Sequence, residues 1–272
     1  MNINLRTDAP RHNLALMKIS SYHKALGDRV FLNGAGEFGI TYGSWLFDFS
    51  PKYFCDVEGG PGIDASIRLD EAIEFLRPDY DLFGLDFSLG YTWRYCPRNC
   101  EFCIVPEQKN KRDHKSIWDF HDPRFKKICL LNNNTFSDPL WYATFEEIWE
   151  QDLVVIDENG YDLRLMTDDK AHALKCTSFE GYIHYAWDQM CDEAAILRGL
   201  AVAPKGIVYV LVGFDTTPEE DLHRLQKIHD AGHDPYVMPY GKTKYGRALK
   251  RFVDSRMYRK FKSMGDAWGE WK

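Results

Sequence analysis

Apolar positions recur at helical spacing from His12 to Leu26 and stop at Gly27-Asp28, which predicts an amphipathic helix over residues 12–26. Arg29–Asn33 and Tyr53–Val57 are short runs of strand character. A glycine loop follows, Gly59-Gly60-Pro61-Gly62, and then a helical segment near Leu69–Leu76. From residue 88 the pattern becomes a regular alternation. Strands are predicted at 88–94, 126–133, 161–166, 180–187, 206–213 and 234–240, with helices at 143–151, 167–175, 190–200 and 217–231 between them. Strands alternating with helices at this spacing define the α/β class. The pattern divides the chain into a small Rossmann-like α/β layer over residues 1–87, six βα units over 88–241 and a tail over 242–272. Within the last βα unit, Thr217 fits a helix N-cap, Pro218 the first turn and Glu220 the capping-box partner.

Composition narrows the class. The 272 residues are 44% hydrophobic and 28% charged, ordinary for a globular chain large enough to bury a core. No apolar run approaches the roughly 18–20 residues of a membrane span, and the first residues lack a signal-peptide pattern. Cys55, Cys129, Cys176 and Cys191 are scattered singly, which suits reduced thiols. A cytosolic protein with no membrane partner is therefore expected. The net charge of −7 is uneven: residues 242–272 carry ten Lys/Arg and three Asp/Glu, a net +7, leaving −14 on residues 1–241. The tail also holds Tyr245, Phe252, Tyr258, Phe261, Trp268 and Trp271. The helical spacing of Phe252, Tyr258 and Phe261 predicts an amphipathic helix whose aromatics cover the main body. The other reading is an RNA-, DNA- or nucleotide-binding tail, in which basic residues meet phosphate and aromatics stack bases.

The remaining three cysteines carry the chemistry. Cys96, Cys100 and Cys103 stand in Tyr-Cys-Pro-Arg-Asn-Cys-Glu-Phe-Cys-Ile-Val-Pro, residues 95–106. Soft thiolates at this density select an iron–sulfur centre or zinc. As a helical core stripe the triplet is disfavoured by Pro97 and by the turn residues Arg98-Asn99. A structural zinc site would need a fourth ligand, for which His114 and His121 are the candidates. A four-cysteine cluster lacks its fourth member until Cys129.

The spacing of cysteine, three residues, cysteine, two residues, cysteine, with Phe102 just before the last, resembles the signature of the radical S-adenosylmethionine (radical SAM) superfamily. The resemblance covers roughly residues 88–241. It implies a partial (β/α)6 TIM-like barrel and a [4Fe–4S] cluster held by Cys96, Cys100 and Cys103. S-adenosylmethionine would sit on the fourth iron, and a flavodoxin- or ferredoxin-like donor would supply the electron. The substrate is not implied. The cysteine loop follows the first strand of the six, at the carboxyl end where βα barrels place their chemistry.

The same resemblance nominates further residues. Asn133 and Asn134 stand where the superfamily often has a Gly-Gly-Glu-like segment near the methionine moiety, and amide oxygens accept from an ammonium; a plain turn is the other reading. Arg164, taken to share a strand face with Asp162, would pair with that residue or with the SAM carboxylate. Gly213 matches a glycine near the adenosine, and Met238 and Tyr240 end the strand that commonly meets adenine. His184 and Asp188 share a predicted strand face and are candidates for substrate contact; His184 also fits a satisfied core histidine. The N-terminal layer is similar to a cobalamin-binding domain in degenerate form. Asp8 and His12 are four apart, and Leu26 follows His23 where that motif has glycine, with Gly27 one residue late. Bound cobalamin is therefore not expected.

Overall fold

The computed structural model describes residues 1–271 and shows a mixed α/β protein in two compact units. Residues 1–133 with 146–155 form the first unit. Residues 134–145 and those from 156 onward form the second.

The first unit begins with a parallel sheet. Its strands are β1 (Asn2–Thr7), β2 (Arg29–Leu32), β3 (Ile40–Ser44) and β4 (Val57–Gly59), in the order β2-β1-β3-β4. Helix α1 (Leu14–Ala25) joins β1 to β2, and the Asn13 side chain caps it by accepting from the Leu16 N–H. Ile3, Leu5, Leu16 and Ile19 form the core, with Val30, Leu32 and Ile40 packed around them. The helix of residues 12–26 is present with its ends trimmed, and the strand expected at 53–57 lies at 57–59. β1 and β3 were not predicted, although Ile3 and Leu5 alternate with polar neighbours at strand period; in the fold Asn4 between them is buried as well.

After the short helix α2 (Glu71–Glu74), β5 (Ser88–Gly90) pairs in parallel with β6 (Lys127–Leu130). Helix α3 (Trp141–Glu150) leads to β7 (Val154–Ile156), which lies beside β6. Gly90 is fixed by packing, because a Cβ there would come within 2.3 Å of the Phe120 ring.

The second unit is a parallel sheet of β8 (Tyr161–Asp162), β10 (His184–Ala186), β11 (Ile207–Val212) and β12 (Asp234–Pro239), in the order β12-β11-β10-β8. The two-residue strand β9 (Ser178–Phe179) precedes β10. Helices α4 (Asp168–Cys176), α5 (Glu193–Val202) and α6 (Pro218–Asp230) alternate with the strands, and α7 (Lys244–Asp254) and α8 (Met264–Trp271) follow. The capping box at the start of α6 is present, with Thr217 and Glu220 in the expected roles. One sheet face is sealed by Tyr185, Trp187, Val208, Val210, Val212 and Val237, all under 2% exposed. The other face, with His184, Ala186, Tyr209, Leu211 and Tyr236, is half-buried.

The strand expected at 161–166 stops after two residues. The Asp162 carboxylate accepts the Arg164 N–H and turns Leu163–Leu165 into a 3-10 turn, so Arg164 does not share a strand face with Asp162. In the tail, α7 buries Leu249, Phe252 and Val253, and Tyr258 and Trp268 are buried beyond it. These aromatics are buried as expected, but not on one helix: α7 ends at Asp254, the chain turns at left-handed Arg256, and Tyr258 and Phe261 lie in and just after a separate 3-10 turn.

Candidate functional site

The cysteine loop leaves the carboxyl end of β5 and is gripped at its base. Asn132, only 2% exposed, accepts the backbone N–H groups of Thr92 and Trp93 on Oδ1, both at 2.9 Å. Its Nδ2 donates to Thr92 Oγ1 at 2.8 Å. The returning chain closes the base from the other side: Trp93 bridges His114, and the Lys115 N–H donates to Thr92 O at 2.8 Å. Asn133 then reaches both arms. Its Nδ2 donates to Arg94 O at 2.6 Å and to Gln108 Oε1 at 3.5 Å.

Between these anchors no helix or strand spans Arg94–Ile104. Cys96, Cys100 and Cys103 are half-buried there, as is Phe102. The Cys103 N–H donates to Cys100 O at 3.0 Å, which folds that stretch into one tight turn. Among the described residues no three His, Cys, Asp or Glu side chains converge around a metal position. The donor set itself suits an iron–sulfur cluster: three soft thiols on a loop whose own backbone is not committed to a ladder. His121, considered as a fourth zinc ligand, is held at the other end of β5, where Nδ1 meets Ser88 Oγ at 2.9 Å. Its burial lowers its pKa.

The glycine loop packs closely against the chain after β3. A Cβ at Gly60 would lie 2.6 Å from Trp45 O, and one at Gly62 would lie 2.6 Å from Phe47 O. Both glycines therefore admit the neighbouring chain. Asp8 accepts the N–H groups of Leu46 and Phe47 at 2.7 and 3.0 Å. Burial raises its pKa, but those hydrogen bonds outweigh it and hold the carboxyl below its usual range. His23 is buried between Asp28 at 2.8 Å and Tyr42 at 3.1 Å.

In the second unit, Asn134 joins the acidic and basic groups at the end of β8. Its Nδ2 donates to Asp162 Oδ2 at 3.0 Å. Arg164 forks onto Asp162 through Nε at 2.7 Å and Nη2 at 3.0 Å, and its Nη1 meets Asp192 Oδ2 at 2.7 Å. Burial works against both charges, yet the pairing wins: the Asp162 pKa falls and that of Arg164 rises.

Asp188 stands two residues beyond the end of β10, half-buried. Burial pushes its carboxyl up to about 6, against the pull of Arg164 and Arg224. His184 opens β10, at the opposite end of the strand from Asp188. Its Nδ1 lies 2.8 Å from Asp157 O, its N–H donates to the Asp157 carboxylate at 2.6 Å, and its ring stacks on Tyr209 with centroids 5.1 Å apart. Gly213 ends β11 with φ +79°, a conformation suited to glycine. Phe214 beside it packs edge-on against Tyr240 at 4.9 Å. Met238 and Tyr240 are 45% and 46% exposed, so these apolar side chains stand open at the end of β12.

Sequence reasoning missed two positions. Asn132 was visible as the first of three asparagines, but it is the one that ties down the strand exit. Arg224 was passed over inside α6. It is fully buried and donates to Trp187 O at 2.9 Å, Asp188 O at 3.0 Å, Leu211 O at 2.7 Å and Asp221 Oδ1 at 2.6 Å. The signal was present: Asp221, Arg224, Leu225 and Ile228 fall at i, i+3, i+4 and i+7, which puts two charges on the apolar face of a helix.

No family model matches the chain, and no curated protein and no solved structure was found to be similar to it.

Proposed function

We propose that the chain is a radical SAM enzyme that binds a [4Fe–4S] cluster through Cys96, Cys100 and Cys103. The observation that carries this reading is a loop with three half-buried thiols at the carboxyl end of a parallel strand, held by Asn132 and Asn133 at its base. The strand–helix alternation within each unit fits the α/β class that this reading requires. When bound, such a cluster with S-adenosylmethionine supplies an electron that yields methionine and a 5′-deoxyadenosyl radical able to take a hydrogen atom. The electron would come from a flavodoxin- or ferredoxin-like donor.

The chain's own residues would divide the remaining work. Asn132 and Asn133 set where the loop leaves β5, so they fix the thiols through the backbone. Phe102 gives the loop an apolar edge. Asn134, Asp162 and Arg164 form a hydrogen-bonded group able to meet the amino and carboxylate ends of an amino acid. Gly213, Met238 and Tyr240 offer an open backbone and an apolar surface suited to adenine. Asp188, protonated more readily than an ordinary carboxyl, can hold a proton in mildly acidic solution, up to about pH 6.

The nucleic-acid reading of the tail is less well supported. Phe252, Tyr258 and Trp268 are 0%, 2% and 6% exposed and cannot serve as a stacking platform for bases.

The test is anaerobic reconstitution of the full chain with iron and sulfide, followed by S-adenosylmethionine and dithionite. Chromatography should detect 5′-deoxyadenosine and methionine from the wild type and neither from Cys100→Ala. Reconstituted wild-type protein that binds iron yet yields no 5′-deoxyadenosine would refute the proposal.

A further inference from the structure

Two adjoining cavities of about 560 and 460 Å3 lie within the first unit and share a wall that includes Leu14, Lys18, Arg68, Glu74, Tyr91 and Arg94. Their position has a topological reason. In the order β2-β1-β3-β4 the chain runs from β1 outward to β2 and then returns to the other side of β1, so the connections diverge between β1 and β3. Crevices at the carboxyl ends of parallel strands beside such a switch are where open α/β sheets bind ligands. The smaller cavity is lined there by Ser44 at the end of β3, Gly59 at the end of β4 and Asn13 at the start of α1. The larger one continues along Gly90–Thr92 toward the cysteine loop.

The shared wall is unbalanced in charge. Within that wall Lys18, Arg68 and Arg94 meet one carboxylate, Glu74; elsewhere the larger cavity carries Lys109, Lys111 and Lys115 against Glu71, Asp113 and Asp119, and the smaller carries Glu58, Asp64 and Asp70. Glu74 Oε1 lies 3.4 Å from Lys18 Nζ and 3.0 Å from Arg94 Nη1, so one anion serves two cations. Arg68 turns to neutral oxygens: the carbonyls of Ala65 and Ile67 at 2.9 and 3.0 Å, Gln108 O, and Asn110 Oδ1 at 3.1 Å. Lys18 is largely buried, Arg94 half-buried and Arg68 exposed, so the wall offers positive charge from its depth to its rim. Flat surfaces lie alongside: the Arg94 guanidinium sits 4.6 Å from the Tyr91 ring centroid, and Lys115 Nζ lies 4.9 Å from that of Phe75.

The geometry points to a binding pocket for a small organic anion, a phosphomonoester or carboxylate carried on a planar body. The anionic group meets Arg94, Arg68 and Lys18, and the planar body lies along Tyr91 and Phe75. Because β5 runs from this wall into the cysteine loop, the anion is the substrate of the proposed radical chemistry; that assignment, unlike the binding itself, rests on the functional reading above.

The experiment is calorimetric titration of the full chain, without added iron or sulfide. The probes are adenosine 5′-monophosphate and 4-hydroxybenzoate, each beside its neutral counterpart, adenosine and 4-hydroxybenzamide. At least one anion should bind at a single saturable site, at least tenfold more tightly than its counterpart, and the arm that binds tells phosphate from carboxylate. Arg94→Gln should weaken it at least tenfold, Arg94→Lys should restore most of the affinity, and Lys115→Gln, outside the buried ion group, should weaken it severalfold. The proposal is overturned if neither anion binds, if the neutral counterparts bind equally well, or if Arg94→Gln and Lys115→Gln bind like the wild type. The titration needs no cluster, so its failure would leave the 5′-deoxyadenosine assay to be judged separately, and the reverse holds too.

Discussion

The cysteine loop of the first unit and the strand ends of the second both gather polar chemistry where parallel strands finish, but they hold it in different ways. In the loop, the asparagines bind backbone, and the three thiols stand half-buried on a stretch without regular pairing. At the strand ends, the charged groups bind one another and the strand carbonyls. Arg224 alone ties Trp187, Asp188 and Leu211 to Asp221. A charge consumed in this way is a part of the fold. A half-buried thiol on an irregular loop is placed where a soft metal or cluster can be met. On this view, substitutions in the second region should cost stability, and substitutions of the thiols should cost chemistry.

The largest effect on stability should come from Arg224→Met. It leaves the Asp221 carboxylate fully buried without its partner, which costs about 3–5 kcal/mol in comparable buried pairs. Urea unfolding would measure it. The double variant Asp221→Leu/Arg224→Met should recover part of the loss, because the stranded charge is gone. Cys100→Ala in the same assay should cost no more than about 1 kcal/mol, as expected away from a packed core. Equal costs for Arg224→Met and Cys100→Ala would erase the distinction between the two regions.

The sequence made different parts of this molecule visible for physical reasons. Strands buried on one face, such as Ile207–Val212, and helices with a capping box, such as α6, are written in local pattern and were found within a residue or two. β8 was overestimated because Asp162 competes for the backbone and turns the chain, an effect of one side chain that periodicity does not register. The cysteine triplet was legible because three thiols in eight positions have few structural uses. Its anchors were less so: Asn132 and Asn133 differ only in which way successive side chains point from an irregular strand end, and that is decided by the loop they grip.

A smaller effect should follow from Asn132→Ala. Two buried N–H groups, of Thr92 and Trp93, would lose their acceptor, at about 1–3 kcal/mol for unsatisfied buried groups. Asn133→Ala, at a half-buried position, should cost less and act locally. Limited proteolysis would separate the two. Both variants should be cut faster than wild type between Arg94 and Asp113, with Asn132→Ala the more sensitive. Cleavage in that segment at the wild-type rate would show that the asparagines do not hold the loop.

The subtlest test concerns Asp188, the carboxyl at the strand ends whose pairing does not overcome its burial. Its pKa in the folded protein is pushed up to about 6, above the unfolded value of about 3.9. A raised carboxyl favours the folded state while it is protonated. That contribution is complete below pH 4 and is lost as the pH climbs toward and through 6, where the unfolded chain has ionised and the folded one must follow. Asp188→Asn imitates the protonated form and removes the titration. The stability of the variant relative to wild type should therefore grow between pH 4 and pH 7, by at most about 2–3 kcal/mol. Urea unfolding of both proteins at the two pH values measures the difference. If the gap stays constant, Asp188 is paired as fully as Asp162, and every charge at these strand ends belongs to the fold. If it widens as expected, Asp188 is a carboxyl whose proton the fold does not consume, unlike that of Asp162.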